Sequence, residues 1–265
     1  MAKKFRENRQ QGTEETKIRL NKFLSDAGIC SRRQADEYIA EGKVTVDGVR
    51  AKEGMKVSPS QKVYFSGKPV QRKEECVLLL VHKPKGIVCT TKGQKNNIVD
   101  FLHYKERIYP VGRLDVASEG LLLMTNDGDL MNEILRARNF HEKEYIVTVN
   151  RKIEDSFIKA MRQGVFLPEL EVTTRPCQVR KIKADSFSII LTQGLNRQIR
   201  RMCEALGYRV VRLKRIRIMN LKLGELKRGQ FRKATESEMQ GLYSLINKSK
   251  GEAEYGSDQE NERIN

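Results

Sequence analysis

The sequence predicts an α+β protein with a small N-terminal domain and a larger second domain. Short apolar runs bounded by turn residues alternate with stretches whose apolar residues recur at helical spacing. An Asp-Gly dipeptide after an alternating segment is typical of a hairpin turn. A polar and charged segment at residues 67–76 indicates a linker. With 265 residues, the chain is long enough for one medium domain and one small one.

The charge and the cysteines restrict the class of protein. A net charge of +17 favours a polyanionic partner, most often nucleic acid. No stretch approaches the roughly 18 apolar residues of a membrane span, and the polar N-terminus lacks the apolar core of a secretory signal. The five cysteines are scattered and never paired as CxxC, which argues against disulfides and against a zinc site. We expect a soluble, cytoplasmic monomer with no membrane partner.

The first domain is predicted over residues 17–66 and contains two helices and a hairpin. The first helix is indicated by apolar residues at helical spacing, namely Leu20, Phe23, Leu24 and Ala27. Ser31 and Gln34 have the spacing of a capping box at the start of the second helix. An alternating segment then leads to a turn at Asp47-Gly48. Residues 1–16 carry no core pattern and are predicted to form a flexible basic arm.

The second domain is predicted over residues 77–248, followed by a disordered acidic tail at 249–265. Its elements follow from apolar spacing and turn residues. In order, they are strands at 77–81 and 87–91, a short helix at 98–102, a buried strand at 121–124, a helix near 130–135, a strand at 141–149, a helix at 153–163, two strands between 172 and 192, a helix at 196–207, a strand at 210–218 and a last helix from 235 to about 247.

The strand with the sequence VVRLKRIRI alternates apolar and basic residues, but the phase slips at Lys214-Arg215. A β-bulge or bend explains such a slip. The basic residues of this strand either line a path for RNA or form a solvated face, and the pattern alone leaves both open; they are Arg212, Lys214, Arg215 and Arg217.

A glycine-started loop with Arg113 and Asp115 precedes the predicted buried strand. A rigid strand can fix a loop side chain in one place, as a catalytic group requires. Asp115 could equally cap a turn or pair with Arg113.

Three arginines lie in the first turns of the helix that Asn196 is expected to cap, namely Arg197, Arg200 and Arg201. The helix dipole disfavours cations at that end. Their placement suggests a nearby anion, either Asp115 or an RNA phosphate.

Three stretches of the second domain resemble the RsuA-type pseudouridine synthases: GRLD followed by SEGLLLMTNDG, the KEY triplet at 143–145, and LTQGLNRQIRRMCEALG at 191–207. SRRQADEYI and GKVTVDG in the first domain resemble an S4 RNA-binding domain. The resemblance implies the pseudouridine synthase fold, with a central mixed or antiparallel sheet flanked by helices and a separate S4 module.

The resemblance also implies roles for particular residues. Asp115 would be the catalytic carboxylate, Arg200 its ion-pair partner, and Tyr145 the ring that stacks on the flipped target base. Leu191 would pack beneath the site, and Arg113 would contact the flipped nucleotide. Further RNA contacts are expected from Arg32, Arg33, Leu114, Val116, Asn196, Arg197, Gln198, Ile199 and Arg201.

The implied reaction is the isomerisation of uridine to pseudouridine within RNA. The atom count does not change, so we expect no cofactor and no metal. The target base must leave its stack to enter the pocket. HEKEY and QGLNRQIRRMCE resemble the branch that acts on large-subunit ribosomal RNA, and tRNA is a further candidate partner.

Three alternatives remain at this point. A non-catalytic S4-bearing RNA-binding or ribosome-assembly protein would explain the charge. An RNA methyltransferase would need a glycine-rich cofactor loop, which the sequence lacks. A glycoside hydrolase using Asp115 and Glu119 would need one raised carboxyl pKa, and the surrounding arginines act in the opposite direction.

Overall fold

The computed structural model describes residues 17–71, 75–90, 95–136 and 139–261, and from residue 250 onwards the backbone alone. The arm predicted at residues 1–16 and the last four residues of the predicted tail lie outside this range. The chain divides into two compact units, and the first contains the N-terminal region with Tyr104–Ile108 and Asn126–Gly128.

The first unit packs two helices on short antiparallel strands. The helices are α1 (Leu20–Asp26) and α2 (Arg32–Ala40). One sheet has the order β3-β2-β5-β6 and a second pairs β1 with β4. The strands are β1 (Ile18–Arg19), β2 (Val44–Val46), β3 (Val49–Arg50), β4 (Lys56–Val57), β5 (Val63–Phe65) and β6 (Lys68–Pro69). Leucines of α1 and valines of β2 and β5 meet in one buried core.

Two local predictions for this unit are confirmed. The Ser31 side chain accepts from the Gln34 N–H at 3.2 Å, and the Gln34 side chain accepts in turn from the Ser31 N–H at 3.2 Å. This reciprocal pair satisfies two backbone donors at the start of α2. Asp47 and Gly48 have φ angles of 50° and 83°, which is the conformation that a two-residue hairpin turn requires.

The linker predicted at residues 67–76 begins later than expected. Lys68–Pro69 form strand β6 and pair with β5, and Val70 is only 8% exposed in the core of the unit. An edge strand bonds to the sheet along one side only, so it tolerates both a charged residue and a proline. Polar composition therefore does not distinguish this edge strand from a linker.

The second unit is built on a mixed sheet of nine strands in the described part of the chain, as expected. The path is β13-β14-β10-β15-β9-β7-β17, with β16 paired to β15 and β8 to β9. Within the described strands of this sheet, β9 and β15 form the parallel pair and the other pairs are antiparallel. The strands are β7 (Leu78–Lys83), β8 (Tyr109–Pro110), β9 (Glu119–Thr125), β10 (Lys143–Val149), β13 (Gln178–Lys183), β14 (Ser186–Leu191), β15 (Val210–Ile218), β16 (Leu221–Lys222) and β17 (Phe231–Lys233). Every residue of β9 is buried.

Five helices and a separate hairpin complete the described part of this unit. They are α3 (Ile98–Leu102), α4 (Gly128–Leu135), α5 (Asp155–Gln163), α6 (Gln198–Ala205), α7 (Glu236–Asn261), β11 (Phe166–Leu167) and β12 (Val172–Thr173). Apolar residues of α5 and α6 pack on β10 and β14 in one buried cluster. Helix α7 continues past Asn247, its predicted end. None of the helices in the described residues is both long enough and apolar enough to cross a membrane.

The predicted irregularity in β15 is present as a bulge. Glu144 lies opposite Arg217 and Tyr145 lies opposite Arg215, so Ile216 is the extra residue. Because partners across a sheet share a face, Arg215 lies on the same face as Tyr145. Three of the four basic residues considered for an RNA path are on the other face: Arg212, Lys214 and Arg217.

A capping box and an ion pair meet at the start of α7. The Thr235 hydroxyl accepts from the Glu238 N–H at 3.2 Å, and Glu238 accepts from the Thr235 N–H at 2.9 Å. Arg232 donates two further hydrogen bonds of 2.7 Å to Glu238. The Arg232 side chain, followed by the backbone donor, lowers the pKa of Glu238 to about 2.

We expect Glu238→Gln to destabilise the protein at pH 7 by roughly 1–2 kcal/mol, the usual contribution of a cap with a partly exposed ion pair. A depressed pKa adds stability above the unfolded value near 4.5, and this stability disappears as the pH falls towards about 2. The gap between variant and wild type in urea unfolding should therefore narrow below pH 4.5. Glu236→Gln, at an exposed position of the same first turn, is the control. If the difference in unfolding free energy between Glu238→Gln and wild type stayed the same down to pH 3, the electrostatic explanation would be contradicted.

Candidate active site

One cavity of about 1040 Å³ lies in the second unit and gathers the principal site residues predicted from sequence. Asp115 and Arg113 come from the loop before β9, Tyr145 from β10 and Leu191 from the end of β14. Arg200 reaches the cavity from the first turn of α6. Segments far apart in sequence thus present a carboxylate, a guanidinium and a phenol ring to one space.

The loop that carries Asp115 is anchored on both sides of that residue. The Cys89 thiol donates to the Leu114 carbonyl at 3.3 Å on one side. The Gly86 N–H donates to the Val116 carbonyl at 2.8 Å on the other. The Asp115 side chain remains 34% exposed. The backbone is therefore held while the carboxylate stays accessible.

Lys83, which sequence analysis did not single out, supports the same loop from below. It is completely buried, and its ammonium group donates to the carbonyls of Ser118 and Pro84 at 2.9 Å each. Burial lowers the pKa of Lys83, while the Cys89 thiol and the Asp115 carboxylate oppose that shift. The signal that could have identified it is a lysine at the end of the strand that the apolar run at residues 77–81 begins, since a buried ammonium needs acceptors.

The predicted pair of Asp115 and Arg200 is present. Arg200 Nε lies 3.9 Å from Asp115 Oδ2, within ion-pair range but too far for a hydrogen bond, and this Nε is buried without a hydrogen-bond partner. Arg200 Nη2 donates to the Ala117 carbonyl and the Ser118 hydroxyl at 3.3 Å. Burial, then the charge of Arg197, lowers the pKa of Arg200, and Asp115 raises it. Arginine nevertheless stays protonated near neutral pH, so it supplies a fixed positive charge.

Tyr145 and Leu191 lie on one face of neighbouring strands. Tyr145 is opposite Ile189 in β14 and Arg215 in β15, and Leu191 is opposite Lys143. Leu191 is 4% exposed, whereas Tyr145 is only partly buried and borders the apolar core. The tyrosine ring is therefore accessible from the cavity, and the leucine forms part of its floor.

The residues expected to contact RNA near these groups differ in exposure. The buried members, which form cavity wall, are Leu114, Gln198 and Ile199. The exposed members at the cavity are Arg113, Val116, Asn196 and Arg197.

Asn196 does not cap α6, which corrects the prediction. The cap position is Arg197, whose φ of 50° is left-handed and whose side chain makes no capping bond. The Asn196 side chain and carbonyl instead accept from Arg201 at 3.3 Å and 3.0 Å. The left-handed residue moves the helix start one position along the chain.

Three predicted RNA-contact residues do not line the cavity. Arg201 forms an ion pair with Glu169 in addition to its bonds to Asn196. Arg32 and Arg33 are exposed in the first turn of α2, in the other unit.

Comparison with known proteins agrees with this geometry. Residues 77–205 match the model of the RNA pseudouridylate synthase family, and residues 18–63 match the S4 domain. The dual-specificity RNA pseudouridine synthase RluF of Escherichia coli (strain K12) is 48% identical over 241 residues, which are 90% of this chain and 82% of that protein. Ribosomal large subunit pseudouridine synthase B of Bacillus subtilis (strain 168) is 35% identical, over 88% of this chain and 98% of that protein.

A solved structure described as a pseudouridylate synthase superposes with a TM-score of 0.63 at 30% identity, covering 85% of this chain and 99% of that one. Fold and site together define an RNA pseudouridine synthase with an N-terminal S4 domain. The chain belongs to the RsuA-type family of these enzymes. It is therefore an isomerase. The alternative of a non-catalytic RNA-binding or ribosome-assembly protein with an S4 domain is not supported.

Proposed function

We propose that this enzyme converts a uridine of large-subunit ribosomal RNA to pseudouridine, with Asp115 as the catalytic carboxylate. The observation that carries the proposal is the meeting of Asp115, Arg200 and Tyr145 at one cavity. The similarity to a protein named as a large-subunit synthase supports the choice of RNA. Other relatives are named dual-specificity RNA pseudouridine synthases, and we propose tRNA as the second candidate substrate.

The cavity is large enough for an extruded nucleoside, since ligand pockets of about 300–1,000 Å³ are usual. In the proposed reaction the uracil stacks on Tyr145 while Asp115 faces the ribose. The bond between N1 and C1′ breaks, the base turns, and C5 bonds to C1′. The proton of C5 leaves and N1 gains a proton, so the atoms balance. Asp115 acts on C1′ directly or on the neighbouring C2′ proton.

Exposed basic residues in both units would hold the RNA backbone. Arg32 and Arg33 stand at the start of α2, where the helix N-terminus also favours phosphate. Arg113 and Arg197 are exposed at the cavity. Phosphate contacts fix the position of the RNA, whereas contacts within the cavity select the base.

Tritium release from RNA labelled at uridine C5 tests the proposal directly. We expect release from large-subunit ribosomal RNA transcripts, with tRNA transcripts compared in parallel. Pseudouridine mapping of ribosomal RNA should find one or more modified sites missing in cells that lack the protein. Unchanged large-subunit RNA in such cells would contradict the assignment of substrate.

We expect Arg200→Lys to slow the single-turnover reaction by roughly 10²-fold, as is usual when a charge-positioning donor is lost. Lysine keeps the charge, but its single nitrogen cannot replace a guanidinium that bonds Ala117 and Ser118 through Nη2 and Val210 through Nη1, so the loop with Asp115 loses a support. Arg162→Lys is the matched control, because Arg162 Nε donates to the Val179 carbonyl at 2.8 Å outside the cavity. Equal effects in the two variants would indicate general destabilisation.

A further inference from the structure

A buried guanidinium in the cavity wall is only partly satisfied. Arg215 is 3% exposed, and its Nε donates to the Leu121 carbonyl at 2.7 Å. Its Nη2 is buried and has no hydrogen-bond partner among the described residues. A buried donor without an acceptor costs free energy. This guanidinium is therefore suited to a ligand that supplies the missing acceptor.

A second cation lies on the same face of the sheet. Lys143 and Tyr145 alternate on β10, and Tyr145 is the cross-strand partner of Arg215. The Lys143 ammonium has only a weak contact, 3.5 Å from the His141 carbonyl. Burial, followed by the nearby charge of Arg215, lowers the pKa of Lys143. Two cations thus approach each other at the cavity.

No described carboxylate lies within ion-pair distance of Lys143 or Arg215. The arginines of β15 on the opposite face of the sheet, in contrast, form ion pairs with glutamates. Arg217 pairs with Glu142 and Glu144 at 2.9 Å and 2.8 Å. The arginines on that face, Arg212 and Arg217, therefore have glutamate partners, whereas Lys143 and Arg215 at the cavity have none among the described residues.

The backbone is specialised to place Arg215 there. The bulge at Ile216 changes the alternation of β15 and puts Arg215 and Ile218 on one face. Gly120 permits the close approach of β9, because a Cβ at that position would lie 2.2 Å from the Arg215 carbonyl oxygen. A bulge and a close glycine contact at one residue are features that proteins use to aim a side chain.

We propose that Lys143 and Arg215 form the subsite for the carbonyl oxygens of the target uracil and stabilise the base while it is detached from the ribose. This inference rests on the proposed function, because it assumes that the base stacks on Tyr145. When the bond between N1 and C1′ breaks, its electron pair stays with the base. The negative charge spreads from N1 to O2 and O4, the atoms that two cationic donors can bind.

The subsite acts on charge that develops during the reaction. Preorganised donors in a site of low dielectric stabilise such charge more than they stabilise the neutral ground state. The pair is therefore needed for bond cleavage more than for RNA binding. An RNA phosphate is the competing occupant, and it would require the pair mainly for binding.

Two variants and two target nucleotides test this proposal. Lys143→Gln and Arg215→Lys are compared with wild type in single turnover, on RNA with uridine or 5-fluorouridine at the target position. The fluorine stabilises the detached anion, so it compensates for a missing cation. Both reactions are followed as loss of the original nucleoside after digestion. Lys214→Gln is the matched control, since Lys214 is adjacent to Arg215 but faces the other side of the sheet.

We expect Lys143→Gln and Arg215→Lys to slow uridine cleavage by about 10²-fold, as for loss of one preorganised donor. The slowing should be at least several-fold smaller with 5-fluorouridine. The affinity of both variants for the same RNA with an abasic nucleotide at the target position should differ from that of wild type by less than about twofold, because the subsite contacts the base.

Equal slowing on both nucleotides, or no slowing, would overturn the proposal. A tenfold loss of affinity for abasic RNA would overturn it in favour of a phosphate site. If Arg215→Lys fails to fold, the measurements on Lys143→Gln are sufficient to test the proposal. Wild-type enzyme that leaves all uridine RNA unchanged would refute the proposed function instead, so the two failures are distinguishable.

Discussion

Asp115→Asn should abolish pseudouridine formation, with a loss of at least about 10⁴-fold, the scale seen when a covalent or acid–base carboxylate is neutralised. Asparagine has nearly the same shape, so the anchors at Leu114 and Val116 remain. It carries no negative charge, and the Arg200 guanidinium 3.9 Å away loses its anionic partner. The measurement is tritium release at saturating enzyme, with RNA affinity determined separately.

The control for this substitution is Asp185→Asn. Asp185 is exposed in the turn between β13 and β14, where its side chain accepts from the Ser186 hydroxyl at 3.0 Å. We expect full activity in this control and near-normal RNA binding in both variants. Activity of Asp115→Asn within tenfold of wild type would disprove the catalytic role. A parallel loss of RNA binding would instead assign Asp115 to holding the substrate.

The elements of this fold are largely predictable from sequence because their signals are local. The run from Leu121 to Met124 is apolar throughout and flanked by turn residues, and it forms the middle of the fully buried strand β9. Ser31 and Thr235 are each followed three residues later by a side chain that can reach back, and both capping boxes form. Such features depend on neighbours within a few residues.

The sheet order and much of the site depend on contacts distant in sequence. No local pattern indicates that β15 inserts between β9 and β10, because strand neighbours are selected by packing of the whole domain. The support that Lys83 gives to Ser118 likewise joins residues 35 positions apart. The pairing of Arg200 with Asp115 was predicted through family resemblance, since helix-dipole reasoning alone allowed RNA phosphate as well.

The cap of α6 illustrates a different limit. Asn196 is a good capping residue by type, yet the left-handed backbone of Arg197 places the helix start one residue later. A non-glycine residue with positive φ is uncommon, and sequence gives little indication of it. This irregularity lies at the cavity, between the exposed Arg197 and the buried Gln198. The capping preference therefore gives the wrong helix start at a residue that borders the cavity.

Gly120→Ala should destabilise the protein by about 3–5 kcal/mol, which combines backbone strain with a steric clash in a packed sheet. Gly120 has φ of 112°, and an added Cβ would lie 2.2 Å from the carbonyl oxygen and 2.6 Å from the nitrogen of Arg215. These backbone atoms belong to the parallel pairing of β9 with β15 and cannot move as a flexible side chain would. Urea unfolding measures the effect.

Gly224→Ala distinguishes the cost of backbone strain from the cost of the steric clash. Gly224 also has a positive φ, 54°, but a Cβ added there would have no described atom within 4 Å. We expect it to cost about 1 kcal/mol, the usual penalty of a left-handed alanine. Folded Gly120→Ala enzyme should also lose turnover, since separating β9 from β15 moves Arg215 relative to Tyr145. Similar unfolding free energies for the two variants would mean that β9 and β15 can move apart at little cost. The close contact between Gly120 and the Arg215 backbone would then not be what positions the Arg215 side chain.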